Sequence, residues 1–534
     1  MPVITEENRR WWTLAAMCFA LFMVMLDSTI VNVALPSIQR DLQTSISGLE
    51  WTVNAYTLSF AVLLVTGGRL GDILGRRRIF LAGVVIFGAS SLFIVFAQSS
   101  AWLVAGRAAQ GVGAALMMPA TLSIITTAFP PEERGKAIGT WAGASAIALA
   151  IGPVIGGFLV EQVSWQSIFL INVPVAVAAV IVTLWAAPES RDESAERSVD
   201  VAGVLTLSLG LGALVLGLVE GNSWGWGSAG VLLLLGGAVA SLVAFAMIEQ
   251  RVRAPMVDFS FFRARSFLGS NIAAFITSFA MLAMFFFLAI YLQNILGYSP
   301  LQAGVRFLPS TFVIIVAGPV AGRLADRVGP RLPMVVGLVL TSGSLALQSR
   351  IGLDTNYGYL ALCFALMGLG MGLVMSPMST AAMNAVDPAK AGVASGILSM
   401  SRMVGGTFGV AVLGALIAGL ARAGLKDSAA VAALPDAARA KLDEAVTIGA
   451  PGAPAPYGRI AQQAFLDGMQ TSLLIAAGVT LIGALIAWLT VNPIPAHEAH
   501  PTSRAERLEL DLVEAGDSGG AVQGEAALRD LTGR

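Results

Sequence analysis

Windows of about 20 apolar residues, the length an α-helix needs to cross the hydrocarbon core of a bilayer, recur fourteen times along the chain. They cover 12–34, 51–70, 79–97, 102–126, 137–160, 168–187, 201–219, 229–248, 267–292, 303–322, 332–349, 358–379, 391–420 and 468–491, with short polar or Gly/Pro-rich breaks between them. Gly and Pro inside the windows do not argue against helix, because membrane helices tolerate both where neighbours satisfy the freed backbone groups. The pattern predicts an all-α membrane protein with fourteen transmembrane helices. Composition agrees: of 534 residues, 56% are hydrophobic and only 12% charged, which is far from a soluble protein.

Basic residues set the expected orientation, since Lys and Arg are retained on the cytoplasmic side. With the N-terminus inside, the alternate loops that face the cytoplasm hold most of the 32 Lys and Arg residues. Arg40, Arg350 and the five in the long segment 421–467 fall outside, and long loops count little. Both termini are expected in the cytoplasm and the protein in the inner (plasma) membrane. The first apolar run is too long for a cleavable signal peptide and lacks a small-residue cleavage pattern, so it is expected to remain as the first span.

The segment GRLGDILGRRR at 68–78 recurs as GRLADRVGPR at 322–331, and MMP ending at Pro119 recurs as MSP ending at Pro377. Spans one to six and nine to fourteen therefore read as two pseudo-symmetric six-helix bundles, with spans seven and eight inserted between them. The implied units are 1–190, 191–265, 266–492 with its outside loop 421–467, and a polar, disordered cytoplasmic tail from 493. Within 421–467 an Ala-rich stretch and a short amphipathic one suggest a helical hairpin over the exit.

In the duplicated loop motif, Gly68, Gly75 and their repeats permit tight turns and close helix approach. Asp72 and Asp326 sit beside arginines that can pair with them, Arg76 in the first copy. Such a clasp could hold one conformation shut; for the arginines, topological anchoring alone is the competing reading. In span five, Gly152, Pro153, Gly156 and Gly157 remove side-chain bulk and one backbone donor, which suits a bend that packs as a hinge or seal.

Charges inside apolar windows cost about 2.5 to 3.5 kcal/mol each on insertion scales, so Asp27, Arg107 and Arg402 call for reasons. Asp27 stands as the only acid well inside a window. Burial favours the protonated carboxyl and a nearby cation the charged one, so its protonation can respond to conformation. The alternative is a structural acid, hydrogen-bonded to Ser28, Thr29 or Asn32 at a kink before Pro36. Arg107 could equally be satisfied by backbone carbonyls or Gln110. Arg306, at the outer start of span ten, suits the interface.

Four stretches together resemble the fourteen-helix drug:proton antiporter branch of the major facilitator superfamily: LDSTIVNVALPSI (26–38), GRLGDILGRRR (68–78), GRAAQGVGAALMMP (106–119) and AIGPVIGGFL (150–159). The resemblance covers about residues 10 to 492. SWQSIFLINVP (164–174) departs from the family pattern, with Gln166 and Ser167 where a basic and an aromatic residue are usual. The resemblance implies that Asp27 binds protons or cationic substrate, that Arg107 tunes a nearby acid, and that spans one, two, four, five and their repeats line a cavity. Tyr56, Met117, Met281, Phe285, Met371 and Arg402 are candidates to face a hydrophobic substrate there, because thioethers and rings adapt to varied shapes.

Candidate chemistry is otherwise sparse. The two histidines, His497 and His500, lie in the tail, and Cys18 and Cys363 fall within apolar runs, which leaves no metal site or disulfide framework. No phosphate-binding loop, zinc motif or nucleophile elbow occurs, so neither an enzyme nor an ATP-driven pump is expected. A net charge of -1 offers no nucleic-acid footprint. The expected function is cofactor-free, proton-driven efflux of hydrophobic cationic or neutral compounds by a protein favoured as a monomer. The competing reading is proton-coupled transport of an endogenous lipid, metabolite or nutrient.

Overall fold

The computed structural model describes residues 8–191, 200–252, 255, 257, 259–386, 391–426, 431, 434–449 and 457–493. Every long regular element among them is a helix. Thirteen helical stretches among these residues are long and apolar enough to cross a membrane, one of them Ser167–Ala186, which joins the short helix Ser167–Leu170 to Asn172–Ala186, and Pro131–Gln162 adds a fourteenth long helix where hydropathy predicts a span. In chain order they are α1 (Arg9–Leu42), α2 (Ile46–Leu74), α3 (Arg76–Val95), α4 (Ser100–Ala128), α5 (Pro131–Gln162), α6 (Asn172–Ala186) and α7 (Val201–Trp224). There follow α8 (Ala229–Glu249), α9 (Arg265–Ile290), α10 (Leu308–Val328), α11 (Arg331–Gln348), α12 (Tyr357–Met383), α13 (Ala391–Lys426) and α14 (Tyr457–Thr490).

The breaks between helices are built from capping side chains. Ser45, Ser99 and Ser228 accept from Gly48, Trp102 and Val231 N–H at the starts of α2, α4 and α8, and Asp200 accepts from Gly203 N–H at 2.8 Å to open α7. Each satisfies one of the N–H groups that a helix start leaves without a partner. At the other end of α2 the chain reverses through Gly75 at φ 111°, and its repeat Gly329 closes α10 at φ 81°, a conformation that favours glycine.

The internal repeat is present in the packing. In the first half α4 packs on α2 and α3, and α1 on α5 and α6; in the second, α12 packs on α10 and α11, and α9 on α13 and α14. Matching glycines make the matching close approaches: a Cβ at Gly83 would meet the Gly113 carbonyl and the Met117 backbone, and one at Gly337 would meet the Gly370 carbonyl. The two halves meet along α2 with α13 and along α5 with α10 and the short helix Pro300–Arg306 before it. The inserted helices α7 and α8 pack on each other, and α7 also rests on both α2 and α13.

Several helices overrun their hydropathy windows, because helical hydrogen bonding continues past the lipid surface whereas hydropathy reports only lipid contact. The predicted loop 421–467 shrinks accordingly: α13 continues to Lys426, and the amphipathic stretch expected before span fourteen is the continuous start of α14 at Tyr457. Between them, among the described residues, lies the helix Asp436–Ala445, extended by a 3-10 turn, Val446–Ile448. It is pinned through Leu442 and Val446 to Leu425, Ala461 and Ala464. Span ten is broken at Phe307, between Pro300–Arg306 and α10. The tail predicted to be disordered lies outside the described residues beyond Asn492 and Pro493.

Candidate functional site

Asp27 and Arg107, 80 residues apart, meet in the interior of the first half. Arg107 Nη1 donates to Asp27 Oδ2 at 2.5 Å and to Gln110 Oε1 at 2.8 Å, and its Nε donates to the Thr52 carbonyl at 2.9 Å. Asp27 is 0% and Arg107 1% exposed. The helices explain the meeting: Gly106 lets α4 press on Ile94 of α3, and Gly111 lets it press on the Tyr56 carbonyl of α2, so the guanidinium is carried into the space between α1, α2 and α3. The Tyr56 ring lies under the guanidinium at 4.3 Å and the Phe169 ring at 5.8 Å, a cation–π arrangement that favours the charge.

Two further residues, Ser91 and Asn172, complete this polar hub. Gln110 Nε2 donates to Ser91 Oγ at 2.7 Å, and Asn172 Nδ2 approaches both Ser91 Oγ at 3.3 Å and Asp27 Oδ1 at 3.4 Å. Five helices, α1 to α4 and α6, thus share one hydrogen-bonded cluster. Sequence reasoning missed Ser91 and the Thr52 carbonyl, and noted Asn172 only within the 164–174 motif. The local alternative for Asp27 has no support in its bonding: Ser28 and Asn32 bond the carbonyls of Val24 and Ser28, and Thr29 bonds that of Leu26. Arg107 takes the carbonyl and Gln110 expected of a structural arginine and the acid expected of a coupling one.

Asp27 is not the only buried acid in a span. Glu50, one residue before the predicted window, lies one turn inside α2 and is 2% exposed.

The remaining candidates fall in several places. Tyr56 belongs to the hub. Met117 and Met371 have no exposed surface and pack in the interiors of the first and second halves, Met117 with Phe80, Val84 and Phe87. The Phe285 ring packs tilted against that of Phe307, centroids 5.1 Å apart, and Met281 is half-buried one turn earlier on α9. Arg402 is half-buried, with one bond to Ser399 Oγ at 3.2 Å. Arg306 lies over the Tyr298 ring at 3.6 Å, held by aromatic residues at the end of the bundle. In the 164–174 segment, Trp165 donates to Asp41 at 2.6 Å with Gln166 beside it at 3.4 Å, so the unusual Gln166 still serves that contact. Ser167 caps back onto the Ser164 carbonyl.

The candidate gating residues form two contacts. In the loop motif, Arg76 pairs with Asp72 at 2.9 Å, Gly68 abuts Pro119, and Glu189 accepts from Arg77 N–H at 3.0 Å directly over Gly75. Gly322 abuts Ser376 in the second copy, so each loop motif touches its own repeat of the proline motif; the Asp326 side chain lies outside the described set. At the other end of the bundle, α5 is clamped between α1 and the second half. Gly152 sits against Thr29 and Gly156 against Ile30, while a Cβ at Gly157 would meet the Leu301 backbone and one at Gly304 the Pro153 carbonyl. Leu301 N–H donates to Glu161 at 3.1 Å beside this crossing.

The first contact separates backbone from charge. The Asp72–Arg76 pair is partly exposed, so Asp72→Asn should cost less than about 1 kcal/mol of stability. Gly75→Ala must place a side chain at positive φ and against the Glu189 carboxylate, which should cost about 1–3 kcal/mol. Thermal unfolding followed with a thiol-reactive dye, reporting exposure of Cys363, should therefore rank Gly75→Ala clearly below Asp72→Asn. Equal midpoints would show that the turn stores no strain.

Comparison with known proteins places this geometry. The chain is 37% identical to the tetracenomycin C resistance and export protein of Streptomyces glaucescens, over 94% of this chain and 95% of that one. It is 37% identical to a puromycin resistance protein of Streptomyces alboniger, over 91% and 92%, and 35% identical to the multidrug resistance protein Stp of Mycobacterium tuberculosis (strain CDC 1551 / Oshkosh), over 89% and 91%. Its fold is similar to the crystal structure of a bacterial homolog to the human lysosomal transporter Spinster, with a TM-score of 0.66 at 16% identity, covering 93% of this chain and 99% of that one. A model of the Major Facilitator Superfamily matches residues 17–410. With two packed repeats of six helices and a sequence match across most of its length, the chain belongs to the Major Facilitator Superfamily.

Proposed function

We propose that this protein is a secondary active exporter of hydrophobic small molecules, cationic or neutral, that exchanges them for protons by alternating access, as the drug:proton antiporter branch does. The observation that carries the reading is the buried Asp27–Arg107 pair in a chain whose relatives are named for antibiotic resistance and export. A proton arriving on Asp27 forms one O–H bond and removes the charge that Arg107 opposes. The guanidinium then keeps the Thr52 carbonyl and Gln110, and the contacts between α1, α4 and α6 are free to change. Substrate binding and proton release compete for the same carboxylate, which is the requirement for exchange. The glycine crossing of α5 with Pro300–Arg306 is the seal on one side and the Asp72–Arg76 loop the clasp on the other.

The distribution of Lys and Arg supports a plasma-membrane orientation with both termini and the 68–78 loop in the cytoplasm, so that the α5 seal faces outward. On this reading 1–190 and 266–492 are the two moving units, and 191–265 is the insertion.

In everted vesicles, accumulation of a fluorescent lipophilic cation should collapse on addition of a protonophore and survive ATP depletion while an imposed gradient remains. Each charge moved across 100 mV supplies about 2.3 kcal/mol, roughly 1.7 factors of ten in accumulation ratio. Undiminished accumulation after protonophore treatment would defeat the proton-coupled reading.

A further inference from the structure

The seam between the two halves holds a polar stripe that plays no part in the Asp27 hub. Glu50 and Asn54 stand one turn apart on α2, spacing that puts them on the same face of the helix, and Thr57 follows in the next turn. Thr57 Oγ1 meets Thr407 Oγ1 of α13 at 2.6 Å, so this face looks into the α2–α13 seam. Glu50 is 2% and Asn54 0% exposed. A Cβ at Gly414 of α13 would fall on the Glu50 carboxyl and close to the Phe287 ring; glycine makes room there for the acid. Both amide atoms of Asn54 lack a hydrogen-bond partner, and no donor or ion-pair cation contacts Glu50 among the described residues.

The charged groups around the seam have other engagements. Arg107 of α4 serves Asp27, Gln110 and the Thr52 carbonyl; Arg422 of α13 serves the Asn222 carbonyl and Asp443; Arg402 bonds Ser399; Arg40 of α1 bonds the Pro36 carbonyl. Lys426 ends α13 beyond Arg422, and Arg69, Asp72 and the α3 arginines cluster at the opposite end of α2. Asn222 of α7 donates to the Ala415 carbonyl beside Gly414, which brings Glu220, two residues earlier on α7, to the seam as another acid. A bare carboxylate enclosed by Phe287 and Gly414 would be desolvated. A carboxylic acid in the same place is neutral and can donate its O–H to the Asn54 amide oxygen.

We propose that Glu50 is a second proton-binding site, occupied while α2 and α13 are closed and emptied when they part. This deepens the proton-exchange reading above and rests on it for its role in transport. Binding forms one O–H bond with a proton from the aqueous phase, and release breaks it when separation of the halves admits water.

Infrared spectroscopy of the full-length protein in lipid tests this without a substrate. At neutral pH the wild type should show the carbonyl stretch of a protonated carboxyl group, absent from Glu50→Gln and retained by Asp27→Asn. A band that persists unchanged in Glu50→Gln overturns the assignment. Should that variant fail to fold, Glu50→Asp should retain the band at a shifted frequency, and an unshifted band is equally fatal. The gating half is read by locking the seam with a disulfide in Thr57→Cys/Thr407→Cys, made in a background lacking Cys18 and Cys363. The locked protein should hold its band as the pH is raised, and reduction should let it titrate away; identical titrations overturn the link to separation. A wild type whose transport ignores a protonophore would defeat the exchange reading but leave the band test standing, so the two failures are distinguishable.

Discussion

Asp27→Asn should abolish gradient-driven efflux and also lower stability. Considered as a lone charge in an apolar window, Asp27 is a group whose removal eases insertion into lipid. The structure reverses that expectation, because Asp27 is the counter-charge of a fully buried guanidinium. Removing one partner of a buried pair typically costs about 3–5 kcal/mol, since it strands the other; the Asn oxygen, Gln110 and the Thr52 carbonyl offset part of this by accepting from Arg107. Stability and coupling can be separated with a double variant. Asp27→Asn/Arg107→Gln leaves no charge in the hub, so it should recover much of the lost thermal stability and none of the transport, whereas Asp27→Glu should keep part of the transport because it keeps a carboxyl group. Residual substrate binding by the Asn variant should lose its pH dependence. Thermal unfolding and proton-driven efflux in reconstituted vesicles read the two effects, and normal uphill transport by Asp27→Asn would remove the residue from the mechanism.

Gly304→Val should be nearly as damaging, for a steric reason. The atoms a Cβ would meet at Gly304 and at Gly157 are backbone atoms of the opposite helix, Pro153 and Leu301, which cannot turn aside as a flexible side chain can. Overpacking of this kind costs about 1–3 kcal/mol, and at the upper end the closed form of this end would become roughly a hundredfold rarer. The variant should stay folded, since each half is held by its own contacts, α2–α4 and α1–α5 in the first and α10–α12 and α9–α13 in the second, but its resting state should be open at the α5 crossing. A cysteine at Leu301 should then react faster with a membrane-impermeant maleimide applied from that side, and transport should fall by a similar factor. Unaltered labelling together with full transport would show that the crossing is not a seal.

What could be read from the chain divides along physical lines. Spans were legible because lipid contact demands continuous apolar side chains, and the repeat because a positive φ at Gly75 and Gly329 demands glycine. Asp27 and Arg107 stood out as charges where charges are expensive. Their meeting did not, since it depends on how α1 and α4 cross, and Ser91 and Asn172 carry no charge to mark them in an apolar window. Glu50 was lost at a boundary. The hydropathy window opens at Trp51, whereas the cap that starts the helix is Ser45; reading the cap in place of the hydropathy would have set the acid one turn inside the span. The same error hid the first turns of α14, which are amphipathic because they rest on a protein surface.

The position of α7 breaks the two-fold equivalence of the halves within the plane of the membrane. By the repeat, the α2–α13 seam and the α5–α10 seam are counterparts, yet α7 lies across the first and touches both of its walls, with α8 stacked behind it. Leu233, Val239 and Val243 of α8 are exposed, so the hairpin turns its outer flank to acyl chains. A compound dissolved in the leaflet consequently meets two unlike flanks, one shuttered by the hairpin and one where α5 and α10 face the lipid directly. Any opening between the halves is thereby bordered by acyl chains on a single side of the protein.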